Sequence, residues 1–249
     1  LPHSLGLNSM TIQTRLVDYE SGGHTFEGML AWDGAVSAAR PGVLVALTIA
    51  GRSGHEEGRA RRLAEMGYVG FAMDVYGKGT QTTDLDRNRA MMDALRDDRP
   101  ELQKRLLAGL TCLQEQAEVD AASIAAIGFC FGGLSVLDIA RTGADVAGVV
   151  SLHGIFAPPG NTAGHKITAK VLALHGWEDP LATPEDVVGL AHEMTSMGAD
   201  WQIHAYGNTT HAFTNPAADD WDGGKQYSAD ADRRSWQATE NFLAEIFGN

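Results

Sequence analysis

Cysteine is scarce in this chain: its 249 residues include only two, Cys112 and Cys130. Two cannot build a disulfide framework, and they are not in the close CxxC-type spacing that ligates zinc. A cysteine that matters here therefore matters as a free thiol. Long apolar runs are also missing, and none approaches the roughly eighteen residues that a membrane-crossing helix needs. The N-terminus lacks the basic segment, apolar centre and small-residue cleavage site of a secretory signal, so the expected address is the cytoplasm. Positive charge is in deficit, with 19 Lys and Arg against 32 Asp and Glu and a net charge of −13. That balance opposes binding to nucleic acid or to an anionic membrane, because a phosphate-rich surface needs a basic face. No GxGxxG or P-loop pattern is present to bind a cofactor's phosphates, and the expected chemistry calls for no metal or organic cofactor.

What is present is an ordinary globular composition, with 44% hydrophobic and 20% charged residues and 29 glycines for tight turns. Leu1 to Ser9 precede Met10 and show no period, so they read as a disordered leader or a remnant of expression, leaving one domain over 10–249. Thr11 to Tyr19 and His24 to Trp32 predict an antiparallel hairpin turned by Glu20-Ser21-Gly22-Gly23. Strands then alternate with helices. Strands are expected at Val43–Leu47, Tyr68–Val75, Ser123–Ile127, Val146–Leu152, Lys170–His175 and Trp201–Tyr206. Helices are expected at His55–Met66, across a polar region from Asp84 to Ala117, and at Phe131–Arg141, Pro184–Met197 and Ala231–Phe247. Near-continuous apolar strands separated by helices belong to a mostly parallel sheet covered on both faces. The fold class is therefore α/β, a mostly parallel central sheet with helices on both faces and an N-terminal antiparallel hairpin at the sheet edge.

The chemistry concentrates at Gly128-Phe129-Cys130-Phe131-Gly132-Gly133, which follows an apolar strand and opens a helix. This is a nucleophile elbow with cysteine in the place of serine. A nucleophile on so sharp a turn needs small residues two positions to either side, which Gly128 and Gly132 supply. The thiol then sits at a helix N-terminus, where partial positive charge favours a thiolate and free N–H groups favour an oxyanion. A buried core cysteine is the competing reading for Cys130 taken alone. The chain order decides between them, since an acid and then a histidine should follow in loops after later strands.

After Val171–Leu174 comes His175-Gly176-Trp177-Glu178-Asp179-Pro180, with two carboxylates. Asp179 is preferred because the residue before proline is held extended, which aims a short side chain, and Glu178 is the alternative. After Trp201–Tyr206 comes His211, the one histidine beyond the last strand. His153 and His175, at strand ends beside glycine, are expected to line the site or bond to backbone, His204 to be structural, and His55 to be solvated at a helix start. The loop from Tyr76 to Asp84 and the segment from Pro158 to His165 are expected to shape the pocket.

These residues resemble those of the dienelactone hydrolases, α/β-hydrolases with a Cys, Asp, His triad. The resemblance runs from about Met10 to Phe247. It rests on Gly128-Phe-Cys130-Phe-Gly-Gly133, Leu63-Ala-Glu-Met-Gly-Tyr68 leading to Asp74-Val-Tyr76-Gly, His175-Gly-Trp-Glu-Asp179-Pro, and His211-Ala-Phe213. It implies cleavage of a small-molecule ester or lactone by Cys130, Asp179 and His211, with an oxyanion hole made by the N–H groups of Phe131 and Ile49. It also places Thr48, Tyr76, Lys78, Trp177, Phe213 and Asn215 around the substrate. Three of these depart from the family's pattern. Thr48 stands where the family has a glutamate that contacts the cysteine, while Lys78 and Asn215 stand where dienelactone-cleaving members have arginines for the substrate carboxylate. The implied substrate is accordingly different or broader. Two other readings fit the same elbow: a hydrolase-fold protein that has lost catalysis, and a redox-sensing thiol.

Overall fold

The computed structural model describes residues 10–248; the leader expected for Leu1 to Ser9 lies outside them. Strands β1 (Ile12–Ser21) and β2 (His24–Asp33) form the expected hairpin, in register Ser21↔His24. Its turn residues Gly22 and Gly23 have φ of 60° and 79°, the pair of left-handed conformations that a two-residue turn compatible with strand twist demands.

The rest of the main sheet is β3 (Arg40–Ala46), β4 (Val69–Ala72), β5 (Val119–Phe129), β6 (Gly148–Leu152), β7 (Lys170–Gly176) and β8 (Trp201–Tyr206). These eight strands lie in the order β1-β2-β4-β3-β5-β6-β7-β8. β2 runs antiparallel to both neighbours, and the pairs from β4 through β8 are parallel. β4 is shorter than Tyr68–Val75, its last residues having left the ladder for the turn that begins at Asp74.

The helices are α1 (Gly54–Glu65), α2 (Leu85–Asp97), α3 (Arg99–Gln114), α4 (Phe131–Arg141), α5 (Pro184–Ser196) and α6 (Ala229–Phe247). The polar region read as one helical stretch is two helices. Asp98 leaves the helical conformation at φ −115°, ψ 75° and caps α3 through Glu101 N, and Pro100 sits in the first turn, where its missing N–H costs nothing. Apolar residues of α2 to α5 pack on one face of the sheet, and those of α1 and α6 on the other. The chain leaving β3 therefore crosses to one face and the chain leaving β5 to the opposite face. The carboxyl ends of two adjacent strands whose connections diverge in this way are the usual position of a site in an open α/β sheet.

Every residue of α4 is buried. Its polar pair Asp138 and Arg141 is compensated: Arg99 Nε donates to Asp138 at 2.7 Å, and Arg141 Nη2 donates to Glu193 at 2.7 Å and to the Phe156 carbonyl at 2.9 Å. Charges so far from water persist only when paired and hydrogen-bonded. This cluster ties α3, α4, α5 and the segment after β6 into the layer that carries the elbow. A short hairpin, β9 (Asp219–Asp220) with β10 (Lys225–Gln226), has no counterpart in the sequence reading.

Candidate active site

Cys130 sits between β5 and α4 at φ 57°, ψ −115°, a left-handed conformation that costs a non-glycine residue about 1–3 kcal/mol and persists where surroundings over-determine it. The surroundings do so. A Cβ on Gly128 would lie 2.1 Å from the Gly132 carbonyl oxygen, and one on Gly132 would lie 2.4 Å from that of Ala46, so strand and helix pass at backbone contact. Cys130 occupies the N-cap of α4, yet its side chain makes no capping bond. Its carbonyl accepts the N–H groups of Gly133 and Leu134, at 3.0 and 3.3 Å, while the N–H of Phe131 meets no acceptor among the described residues. The thiol thus faces a helix N-terminus with a free donor beside it.

The loop leaving β3 brings a second donor. Thr48 N donates to Glu56 at 2.9 Å, Ala50 N to the Thr48 hydroxyl at 3.3 Å, and Gly51 N to the Thr48 carbonyl at 3.1 Å. That accounts for every N–H from 48 to 51 except that of Ile49, which has no acceptor among the described residues. Its carbonyl is held by the Tyr76 hydroxyl at 3.2 Å, and the Tyr76 ring stacks on Phe131 at 6.5 Å, so one side chain touches both donor-bearing residues. Burial, reinforced by the charges of Cys130 and Glu56, pushes the Tyr76 phenol well above its ordinary range, which keeps it a donor.

The acid and the histidine meet: His211 Nδ1 lies 2.8 Å from Asp179 Oδ2, and both residues are buried. Asp179 Oδ1 accepts Leu181 N at 2.8 Å, which fixes the carboxylate. Glu178 turns away and accepts Thr209 N at 2.8 Å, bracing the histidine loop instead. The backbone of that loop is paired with the hairpin segment, His211 N donating to Gly224 O at 3.0 Å and Gln226 N to His211 O at 3.2 Å. His211 Nε2 is buried without a hydrogen bond of ordinary geometry among the described residues. Burial alone would lower the pKa of His211, but the charge of Cys130 and the bond to Asp179 outweigh it and raise the pKa to about 10.

The residues expected around the substrate are dispersed. Thr48 uses its hydroxyl within its own loop, as described. Phe213 is fully buried, with its ring edge-on to His153 at 5.1 Å and Tyr206 at 5.7 Å, and so supports the histidine loop from within. Lys78 is ion-paired to Asp18 and to Glu27, and Glu27 also holds Arg52. Asn215 is exposed and its carbonyl accepts Ala217 N at 3.0 Å. Trp177 is exposed after β7. The segment from Pro158 to His165 contributes to a surface groove of about 920 Å³ that none of Cys130, Asp179 and His211 lines.

Three features add to or alter the sequence reading. Glu56 is fully buried at the N-terminus of α1, where it accepts Ser53 N at 3.0 Å and Ser53 Oγ at 2.7 Å besides Thr48 N. The Ser53-x-x-Glu56 spacing is a capping-box signature, so a signal for it was present. The hairpin of β9 and β10 gave none, being only two residues per strand. His55, expected to be solvated, instead lies edge-on to Phe129 at 4.9 Å.

The model of the dienelactone hydrolase family matches residues 26–247. The uncharacterized protein K02A2.1 of Caenorhabditis elegans is 34% identical over 154 residues, covering 61% of this chain and 98% of that protein. The solved structure of m3DLH is 39% identical, with a TM-score of 0.88 over 95% of this chain and 99% of that one. The dienelactone hydrolase-like promiscuous phosphotriesterase P91 from metagenomic libraries is 38% identical, with a TM-score of 0.88 and the same coverage.

Proposed function

The chain belongs to the dienelactone hydrolase family, and from that premise we propose that it cleaves an ester or lactone of a small molecule with Cys130 as nucleophile, His211 as base and acid, and Asp179 as the group that orients His211. The observation that carries this reading is the 2.8 Å contact between His211 Nδ1 and Asp179, in a site where the charge of Cys130 raises the pKa of the same imidazole. A thiolate at a strained helix N-terminus, paired with an oriented imidazolium, is an activated nucleophile.

In the first half-reaction the Cys130 sulfur bonds to the substrate carbonyl carbon, and the electron pair moves onto the carbonyl oxygen. The N–H groups of Phe131 and Ile49 stabilise that oxyanion. Collapse breaks the carbon–oxygen bond, the leaving alkoxide takes the proton from His211, and a thioester remains. In the second half, His211 withdraws a proton from water, hydroxide attacks the thioester, and the carboxylic acid departs as the thiolate re-forms. Lys78 is already paired and Asn215 carries no charge, so neither offers a ready cation to a substrate carboxylate.

Hydrolysis of p-nitrophenyl esters tests the reading against a non-catalytic or redox-sensing role. Cys130→Ala should lose turnover while remaining folded, and Cys112→Ala, whose buried thiol is pushed up to about 11 by burial, should keep it. Mass spectrometry of the quenched parent protein should show the acyl group on Cys130. Turnover by Cys130→Ala at the parent rate would remove the proposal.

A further inference from the structure

We propose that His153 is a positioning residue for the nucleophile: a buried imidazole that accepts the backbone N–H of Cys130 and couples the elbow to the histidine loop. The proposal rests on the reading of Cys130 and His211 as reacting groups and gives a role to a side chain that the mechanism leaves unused. Cys130 N donates to His153 Nδ1 at 3.1 Å while also donating to the Leu152 carbonyl at 3.0 Å. An acceptor at Nδ1 carries no proton, so the neutral ring holds its proton on Nε2, which faces Thr214 Oγ1 at 2.8 Å. Thr214 lies on the segment that carries His211. The ring also stands edge-on to His211, at 5.2 Å between centroids, so one side chain contacts the nucleophile's amide, the base's ring and the base's loop.

Two further observations agree. His153 adopts φ 38°, a left-handed conformation that a histidine keeps only where its surroundings hold it, and its N–H is fixed to the Leu174 carbonyl at 2.9 Å. Burial, with the nearby His211 adding to it, holds its pKa well below the ordinary histidine range, so the ring stays neutral and Nδ1 stays an acceptor. The strained peptide of Cys130 is thereby anchored on two sides. Loss of the Nδ1 contact leaves that peptide held by the Leu152 carbonyl alone, so the strained elbow beside His211 is less firmly fixed.

The test separates the acceptor from the ring. In His153→Asn the side-chain oxygen takes the place of Nδ1, and asparagine tolerates a left-handed φ; in His153→Phe the ring remains and the acceptor is lost. With p-nitrophenyl ester as substrate, His153→Phe should lower kcat about 3–10-fold, the range for one lost hydrogen bond while Cys130 N keeps the Leu152 carbonyl, with KM changed less than about 2-fold. His153→Asn, which keeps an acceptor there, should stay within about 2-fold of the parent in kcat. Iodoacetamide alkylation of Cys130, which needs no turnover, should follow the same order. Where His153→Phe fails to fold, His153→Gln replaces it, because its amide reaches the Nε2 position and leaves Cys130 N with the Leu152 carbonyl alone. Phenylalanine or glutamine variants matching or exceeding asparagine in kcat and in alkylation rate would overturn the role of Nδ1, as would an effect confined to KM. An active Cys130→Ala protein would instead overturn the underlying mechanism, leaving the alkylation order as the measure of His153.

Discussion

Cys130 is placed by its immediate neighbours in the chain: a strand that ends one residue before it, a helix that starts one residue after it, and two glycines whose missing Cβ atoms let those elements touch. His211 is placed by residues far from it in sequence. Asp179 orients its ring, Glu178 braces Thr209, Gly224 and Gln226 pair with its backbone, and Phe213 and His153 fill the space beneath. Both are candidate reacting groups of one site, yet the first is held by local stereochemistry inside a fully buried layer and the second by long-range contacts on loops. The nucleophile should therefore be sensitive to single-atom changes of volume nearby, and the histidine to the loss of particular polar partners.

The largest effect expected on the histidine side comes from its two neighbouring carboxylates. Asp179→Asn keeps the shape and removes the charge and the acceptor that fix His211, and kcat should fall about 10³–10⁴-fold, as for other triads deprived of the acid. Glu178→Ala removes one hydrogen bond to the loop, worth about 0.5–1.5 kcal/mol, so kcat should fall no more than about 10-fold. Equal losses would mean that bracing the loop matters as much as orienting the ring, and a larger loss in Glu178→Ala would assign the acid's role to Glu178.

A pair of glycines sharpens the contrast in stability. Gly132→Ala drives a methyl group against the Ala46 carbonyl, backbone that cannot move without opening the sheet. It should cost about 1–3 kcal/mol in urea unfolding and disable the elbow. Gly207→Ala, just beyond β8 on the histidine side, meets nothing within 4 Å and should be nearly neutral. Comparable destabilisation by both would show that the loops are packed as tightly as the elbow.

The same contrast explains what could be read from the residues alone. The elbow was legible because its requirements are local: an apolar strand, glycines at fixed offsets and a helix that starts on schedule all lie between Ile124 and Arg141. The acid and histidine were legible only as positions in an order of strands, and the choice between Asp179 and Glu178 rested on Pro180. The hairpin of β9 and β10 was illegible, since its four paired residues, Asp219, Asp220, Lys225 and Gln226, are polar and show no alternation. Its identity comes from backbone pairing with His211, which no side-chain pattern encodes. The expected substrate contacts fared differently because motif spacing fixes where a residue lies in a loop but not where its side chain turns: Lys78 points to acids on the first hairpin and Phe213 into the core.

The smallest effect expected is also the one that joins the two regions, because it reads the charge of one through the titration of the other. Burial lowers the pKa of His211, and the charge of Cys130 and the bond to Asp179 together raise it to about 10. A pKa raised above the unfolded value of about 6.5 adds stability that is complete below about pH 6.5 and is lost as pH climbs through about 10. Cys130→Ala removes the foremost of the raising causes and leaves burial in place, so its His211 should titrate at lower pH. The ring resonances of His211, followed by NMR against pH in both proteins, should show the parent holding its proton to higher pH. Groups elsewhere titrate alike in both proteins, so the difference between the curves isolates the pair. Superimposable curves would mean that the Cys130 sulfur carries no charge at rest and that the elbow and the histidine loop, though adjacent, are electrostatically independent before substrate binds.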